Sequence, residues 1–403
     1  MLTAEQNDTL TQVLPGTPMG RLMRRYWHPV AASAELVDSP VKAVRILGES
    51  LGLYRDGRGE LGLLAKACAH RGASLTSGNT ERHGLRCSVH RWLYASDGRC
   101  LEQPMEEPNN REQLGDARTT AYAVEELGGL VFAYLGPEPR PLLPRYNVLV
   151  WQDAVREIQG SLVPCNWLQV MENLLDPMHV EQLHGRYFAD VLERKGGASV
   201  EDFLANHCPP RLTRIGFERF ADGIIERHMT ESDREVSWDT GTPSFFPTTT
   251  LVQSSVNRGS VIFIVPFDDT HTWFLLDMAE RTGFPSRQKT APFVDVPGRG
   301  KNDEFLLDTA HGQDHMAAVT QGAVAPRADE HLGTADAGIV LYRELLSQQM
   351  ERVESGRDPM NVRRSHAENE IIDAPRASAA ASHADTSGWS RQRRRWAERH
   401  PRK

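Results

Sequence analysis

Short apolar runs, interrupted at close intervals by turn residues, fill the chain from Val41 to about Gly136. They are VRILG, LGLYRD, LGLLAKAC and GLVFAYLG, with Gly, Asp and Asn between them. This texture predicts a small all-β domain. Ahead of it, Leu10 to Trp27 is amphipathic. Pro15 and Gly16 break that stretch, so a helix is expected to start near Pro18 and to end before Pro29. Behind it, PEPRPLLPRY (137–146) reads as a Pro-rich connector. The remainder mixes periods. NWLQVMENLLD places Trp167, Leu168, Val170, Met171, Leu174 and Leu175 at helical spacing. SVIFIVPF and HTWFLLDMA, with FDDT between them, predict a strand pair in a buried sheet. AGIVLYRELLSQQMERVESG predicts a long amphipathic helix ending at Gly356. After about Met360 the chain turns polar and Ala/Ser-rich and ends in RQRRRWAERHPRK. A solvated, disordered tail is preferred there over a basic interaction arm. There is no internal repeat.

At 403 residues, the chain is long enough for two or three domains of ordinary size, each with its own core. The net charge of −8 gives no reason to expect nucleic-acid binding. The first residues, MLTAEQNDTLTQ, lack the charged-then-apolar layout of a signal peptide. No run approaches the ~18 consecutive apolar residues of a membrane helix, so a soluble, cytoplasmic protein without a membrane partner is expected. The five cysteines (Cys68, Cys87, Cys100, Cys165 and Cys208) are too sparse for a disulfide framework. Cys100, Cys165 and Cys208 read as ordinary thiols or small apolar residues.

The other two cysteines sit beside histidines. CAHRGASL (Cys68 to Leu75) and CSVHRWLY (Cys87 to Tyr94) give Cys-x-His, sixteen residues, then Cys-x-x-His. Two thiolates and two imidazoles suit a tetrahedral zinc ion. They also suit a [2Fe-2S] cluster that puts both Cys on one iron and both His on the other. Three features favour the cluster. Each finger offers one Cys and one His and can reach both irons. Gly72 lets the backbone come close to the sulfides. Trp92 and Tyr94 follow the second finger and can shield the cluster. The pair of fingers closely resembles the Rieske motif of ring-hydroxylating oxygenases. One departure is Arg91, where many members have Gly after the second His.

NWLQVMENLLDPMHVEQLHG then supplies Asp176, His179 and His184. Two His and one carboxylate on one face of iron leave positions open for oxygen. His179 and His184 are five apart, about 140° round an ideal helix, so one straight helix cannot aim both at one metal. Pro177 and Gly185 suggest the remedy: a break near Asp176 and a helix end near Gly185. The carboxylate ligand must come from elsewhere, and in LLDTAHGQDHMAAVTQG the candidates are Asp308 and Asp314. The resemblance implies Asp314, from Gln313-Asp314 ahead of Gln321-Gly322. Asp308, His311 and His315 are then ordinary surface or supporting residues. The resemblance further implies that His179 and His184 bind a mononuclear iron. Asp176 would bridge toward a cluster histidine of a neighbouring subunit, where a carboxylate between two metal-bound imidazoles couples the sites.

EQN…LPGTPMGRLMRRYWHPV and ADEHLGTADAGIVLYRELL are similar to the phthalate dioxygenase-type branch, so the likeness spans roughly residues 1–350. It implies an α+β fold. An N-terminal helical segment (1–40) packs on the catalytic domain, followed by a Rieske β domain (41–136). A catalytic domain (145–360) has an antiparallel sheet flanked by helices, and a disordered tail (361–403) ends the chain. It implies one [2Fe-2S] cluster and one Fe(II) per subunit, and a homotrimer. Electrons would come from a separate NAD(P)H-dependent flavin and iron–sulfur reductase, with O2 and an aromatic acid or aryl ether as substrates. No Gly-x-Gly-x-x-Gly fingerprint is present, in keeping with an external reductase. Dihydroxylation is ranked first, monooxygenation or O-demethylation second. Arg186, Arg214, Arg219 and Arg227 are available for a substrate carboxylate but read first as surface charges. An electron carrier or a zinc-binding protein is the rival, and the large second domain with its own motif argues against both.

Overall fold

Thr3 and Thr17 start the first two helices. Thr3 closes a capping box with Gln6 ahead of α1 (Ala4–Thr11), and Thr17 caps α2 (Pro18–Met23), whose first position is Pro. The computed structural model describes residues 2–105, 117–197, 199–207, 211–230 and 239–373. The helix expected to run up to Pro29 stops at Met23, and Trp27–Ala32 is a strand, β1. All six residues of WHPVAA are buried, and pairing with a sheet satisfies their backbone better than an extended helix would. β1 lies at a sheet edge and shifts register after Pro29, where a missing N–H does least harm.

Three sheets follow. β2 (Val41–Ile46), β3 (Glu49–Arg55), β4 (Leu61–Ala65), β9 (Ala121–Leu127) and β10 (Leu130–Tyr134) join β1 in the order β1-β10-β9-β4-β3-β2. A four-stranded sheet, β5 (Asn79–Glu81), β6 (Gly84–Arg86), β7 (Leu93–Tyr94) and β8 (Cys100–Glu102), is inserted between β4 and β9. Together they form the small β domain that the broken apolar runs predict.

The third sheet has eight strands: β11 (Ala154–Val163), β12 (Leu212–Phe220), β13 (Gly223–Thr230), β14 (Asp239–Phe245), β15 (Thr249–Ser255), β16 (Arg258–Pro266), β17 (Thr272–Arg281) and β18 (Phe293–Asp295). Their order is β12-β13-β14-β15-β16-β17-β11-β18, antiparallel except for β11 with β18. β16 and β17 are the expected strand pair, in register from Arg258↔Glu280 to Pro266↔Thr272. Its FDDT turn is tied to the N-terminus, where Asp269 Oδ1 accepts from Val13 N–H at 2.7 Å. Phe132 of β10 meets Phe263 of β16 edge-on, with centroids 5.7 Å apart, so one core joins the two large sheets.

The helices that cover the large sheet are α3 (Trp167–Asn173), α4 (Pro177–Glu181), α5 (Phe188–Arg194), α6 (Val200–His207), α7 (Ala310–Val319) and α8 (Ala337–Glu354). α8 is the predicted long amphipathic helix, and Gly356 follows it at a left-handed φ of 75°. Among the described residues no helix is long and apolar enough to cross a membrane. The expected loose tail does not begin at residue 361. Asn361 and Ile372 are buried, Leu142 N–H donates to Arg363 and Asn147 N–H to Ile372, each at 2.9 Å. Backbone pairing with the connector holds a segment whose composition alone reads as polar tail. Residues 374–403, with the terminal basic run, and Cys208 lie outside the described residues.

Candidate metal centres

The first pair of fingers is built from two tight loops at one tip of the β domain. Cys68 N–H donates to Ala73 O, and Gly72 N–H returns to Cys68 O, both at 2.8 Å. Gly72 has φ +74°, which only a residue without Cβ adopts freely. In the second loop Cys87 N–H donates to Trp92 O at 2.8 Å. Arg91, the departure noted in the sequence, stands at φ +64°. A side chain there costs about 1 kcal/mol or more, which explains the preference for Gly. Here the Arg91 carbonyl accepts from the buried Arg86 guanidinium, itself held by Glu81 and Glu102.

Both thiols point inward and are buried, while His70 and His90 are exposed at the tip with ring centroids 4.5 Å apart. Trp92 stacks on His70 at 4.6 Å and 11°, as the expected shield. Burial pushes the Cys68 thiol upward against the pull of the Tyr94 hydroxyl, so a thiolate persists there only beside a cation. Among the described residues, one group brings three such ligand atoms within 4.8 Å of one another, and it is not in these fingers. A single zinc ion, with bonds of about 2.0–2.3 Å, needs a tighter set. A two-iron cluster, which separates thiolates from imidazoles, fits.

Tyr94, expected only to shield, also places its hydroxyl 3.1 Å from Cys68 Sγ. A hydrogen bond to a ligand sulfur favours the more negative, reduced state. Taking that bond as ~1 kcal/mol, Tyr94→Phe is expected to lower the cluster potential by roughly 40 mV for one electron. Redox titration followed by visible absorption measures this. An unchanged potential would leave Tyr94 a packing residue. Cys100 is half-buried with Sγ 3.4 Å from Glu102 O, and Cys165 is fully buried, in keeping with their ordinary reading.

The group within 4.8 Å is His179, His184 and Asp314. α3 ends at Asn173, and Asp176 caps the next helix, its Oδ1 accepting from Met178 N–H at 2.9 Å. The five-residue spacing of the histidines is solved differently from expectation. Gly185 does not end the helix. Gln182–Tyr187 widens into a π-turn before α5 continues. A π-turn closes over five residues, so positions i and i+5 share a face. The two rings consequently sit 5.0 Å apart, at 76° to each other.

Asp314, on α7, reaches both rings, with Oδ1 3.0 Å from His184 Nε2 and 3.7 Å from His179 Nε2. Asn173 Nδ2 donates to the same oxygen at 2.9 Å. His179 Nδ1 pairs with the Asp176 backbone carbonyl, and His184 Nδ1 lies 2.9 Å from Gln313 Oε1. Burial works to raise the Asp314 pKa, yet His184, His179 and Asn173 outweigh it and hold the carboxyl below its usual range. Burial likewise lowers His184, and the Asp314 carboxylate reverses it to a net rise. A divalent metal held by these side chains would compete with protons for the same atoms. Burial raises the Asp176 pKa, only partly offset by His179.

Asn173 was not singled out by sequence reading; it sits in the helical run three residues before Asp176. Glu172 beside it is locked by Arg327 (2.8 Å) and Arg343 (2.7 Å), which fixes α3 against α8. Asp308 pairs with Lys195 at 3.0 Å, away from the ligands. Of the other two candidates, His315 is buried and His311 partly buried. His311 Nε2 and both nitrogens of His315 are buried without a hydrogen-bond partner, and burial lowers both pKa values, His315 to about 4. Three of the four arginines have a carboxylate neighbour. Arg186 lies 3.9 Å from Glu181, Arg219 3.1 Å from Glu344 and Arg227 2.9 Å from Glu218, and Arg214 is exposed on β12.

Comparison with known proteins agrees with this architecture. Residues 26–123 match the Rieske [2Fe-2S] domain family. The chain is 34% identical to the 5,5'-dehydrodivanillate O-demethylase oxygenase subunit of Sphingobium sp., over 93% of this chain and 87% of that one. It is 35% identical to the phenoxybenzoate dioxygenase subunit alpha of Ectopseudomonas oleovorans, over 89% and 88%. The terminal oxygenase of carbazole 1,9a-dioxygenase from Nocardioides aromaticivorans shares the fold, with a TM-score of 0.60 at 19% identity, over 85% of this chain and 98% of that one. Full-length identity at this level, on a chain with a Rieske domain and a second large domain, places the protein among the Rieske oxygenases, as an oxygenase (alpha) subunit.

Proposed function

We propose that the chain holds a [2Fe-2S] cluster on Cys68, Cys87, His70 and His90 and a mononuclear iron on His179, His184 and Asp314. With them it oxygenates an aromatic acid or aryl ether, dihydroxylation, including attack at an ether-bearing carbon, being the first reading. The observation that supports this most is a half-buried two-His, one-Asp set within 4.8 Å in a chain that also carries a Rieske domain. When bound, the iron supplies dioxygen activation and the cluster supplies single electrons.

The protein's own part is positioning. The buried thiols keep one side of the cluster dry. The exposed His70 and His90 rings, beside the exposed Val89, make that tip the side that meets an electron donor or another subunit. Asp176 sets the start of the helix that carries His179 and accepts from its Nδ1–H through its backbone carbonyl. That contact turns His179 Nε2 toward Asp314. A trimer that seats this tip against Asp176 of the next subunit, fed by an NAD(P)H-dependent reductase, completes the reading. Likeness to an O-demethylase subunit favours a second reading, single-oxygen insertion with loss of a methyl group.

The test is product analysis. The chain, a Rieske-system reductase and NADH are supplied with a panel of aromatic acids and aryl ethers under oxygen-18 gas. Two labelled atoms in one aromatic product are expected for dihydroxylation. The second reading gives a demethylated phenol that keeps its unlabelled ether oxygen, with an equal amount of formaldehyde measured by trapping. NADH oxidation with neither a labelled aromatic product nor formaldehyde from any compound of the panel would sink both.

A further inference from the structure

Gln313 is fully buried one residue before Asp314, and both ends of its side-chain amide are occupied. Nε2 donates to the Leu307 carbonyl at 2.8 Å. A carbonyl only accepts, so this contact settles which end of the amide is nitrogen. Oε1 therefore faces His184 Nδ1, at 2.9 Å. An amide oxygen also only accepts, so Nδ1 carries the hydrogen. A neutral imidazole with hydrogen on Nδ1 has its lone pair on Nε2. Nε2 is the nitrogen turned to the centre of the triad, 3.0 Å from Asp314 Oδ1.

We infer that Gln313 is a positioning residue that selects the His184 tautomer and ring orientation presenting Nε2 to a divalent metal. The chain of constraint runs from a backbone carbonyl through a rigid amide to a ligand. It rests on the reading of His179, His184 and Asp314 as the metal site. The two histidines are then set in the same way from two directions. His179 is fixed by the carbonyl of Asp176 in its own segment, and His184 by α7, which also carries Asp314. α7 thus supplies one ligand and orients another from adjacent positions, which ties the spacing between the two chain segments to the geometry of the site. The sequence pair Gln313-Asp314 acquires a physical reason for its order.

The test measures Fe(II) affinity anaerobically by competition with a chromophoric chelator. It uses the full chain with its cluster intact, and visible spectrum and thermal midpoint serve as controls of folding. Outer contacts of this kind cost about 10–100-fold in metal affinity when lost, so Gln313→Leu is expected to weaken Fe(II) binding by that factor. In a His184→Ala background the same substitution is expected to change nothing further, because its effect passes through His184. Wild-type affinity in Gln313→Leu, or an equal loss in both backgrounds, overturns the inference. If the leucine variant does not fold, nitrogen-15 histidine spectra of the wild-type chain loaded with Zn(II) decide, with His184 assigned by its absence in His184→Ala. Hydrogen on Nδ1 supports the inference, and hydrogen on Nε2 overturns it. If His184→Ala itself binds Fe(II) like wild type, the metal-site reading fails instead.

Discussion

His179→Ala is expected to abolish product formation while leaving the visible spectrum of the cluster unchanged. Loss of a contact one shell out from a metal already costs about 10–100-fold, and removal of a direct ligand should exceed roughly 100-fold. The structure offers no substitute. Among the described residues, the group with ligand atoms close enough to share an ion is His179, His184 and Asp314. Asn173, whose Nδ2 lies 3.5 Å from His179 Nε2, already gives its amide to Asp314. The fingers lie in a separate sheet system, so the cluster is insulated from the change. Iron content should fall toward the two irons of the cluster. Stoichiometric third iron with full turnover would remove His179 from the site.

Asp176→Asn is the second large effect expected. Asn caps a helix as well as Asp does, so the bond to Met178 N–H and the carbonyl that orients His179 both survive. What changes is the charge and the second acceptor oxygen. Cluster and iron should both be retained, and reoxidation of the reduced cluster with substrate and O2 should slow by roughly 10–100-fold. Stopped-flow absorption at the cluster bands checks this. An unchanged rate would confine Asp176 to capping α4. The burial that raises the Asp176 pKa gives the carboxylate a cost that capping alone does not require.

The Cys-x-His and Cys-x-x-His fingers were legible in the sequence because their chemistry is local, a run of residue types at fixed spacing. His179 and His184 took their meaning from that company, and the distant Asp314 from the family resemblance. Alternation of short apolar runs exposed the β domain, and the FDDT turn between two apolar runs exposed β16 and β17. What escaped was decided by tertiary context. WHPVAA continues an amphipathic run, and only the presence of β10 makes it a strand. The i+5 spacing of His179 and His184 signalled a departure from the α-helix, but a break and a π-turn answer it equally well from sequence. Asn173 and Gln313 are polar residues whose roles depend on α7 meeting α3 and the π-turn across well over a hundred residues of chain. Residues 361–373 look like tail until the connector that pairs with them is in view.

The N-terminal helices have a consequence for how the chain is made. Arg21 of α2 bonds Glu354 of α8, 333 residues away, and Asn7 of α1 bonds the Ala325 carbonyl. β1, only nine residues beyond α2 at most, instead closes on β10 about a hundred residues later. At about 5–20 residues per second of synthesis, the β domain can close its edge within seconds of leaving the ribosome. α1 and α2 then wait roughly a further 10–50 s for their partners to emerge. During that interval Leu10, Val13, Met19, Leu22 and Met23, all buried in the finished fold, are exposed on the nascent chain. Completion of α8 is what gives α2 the surface it packs against in the finished fold.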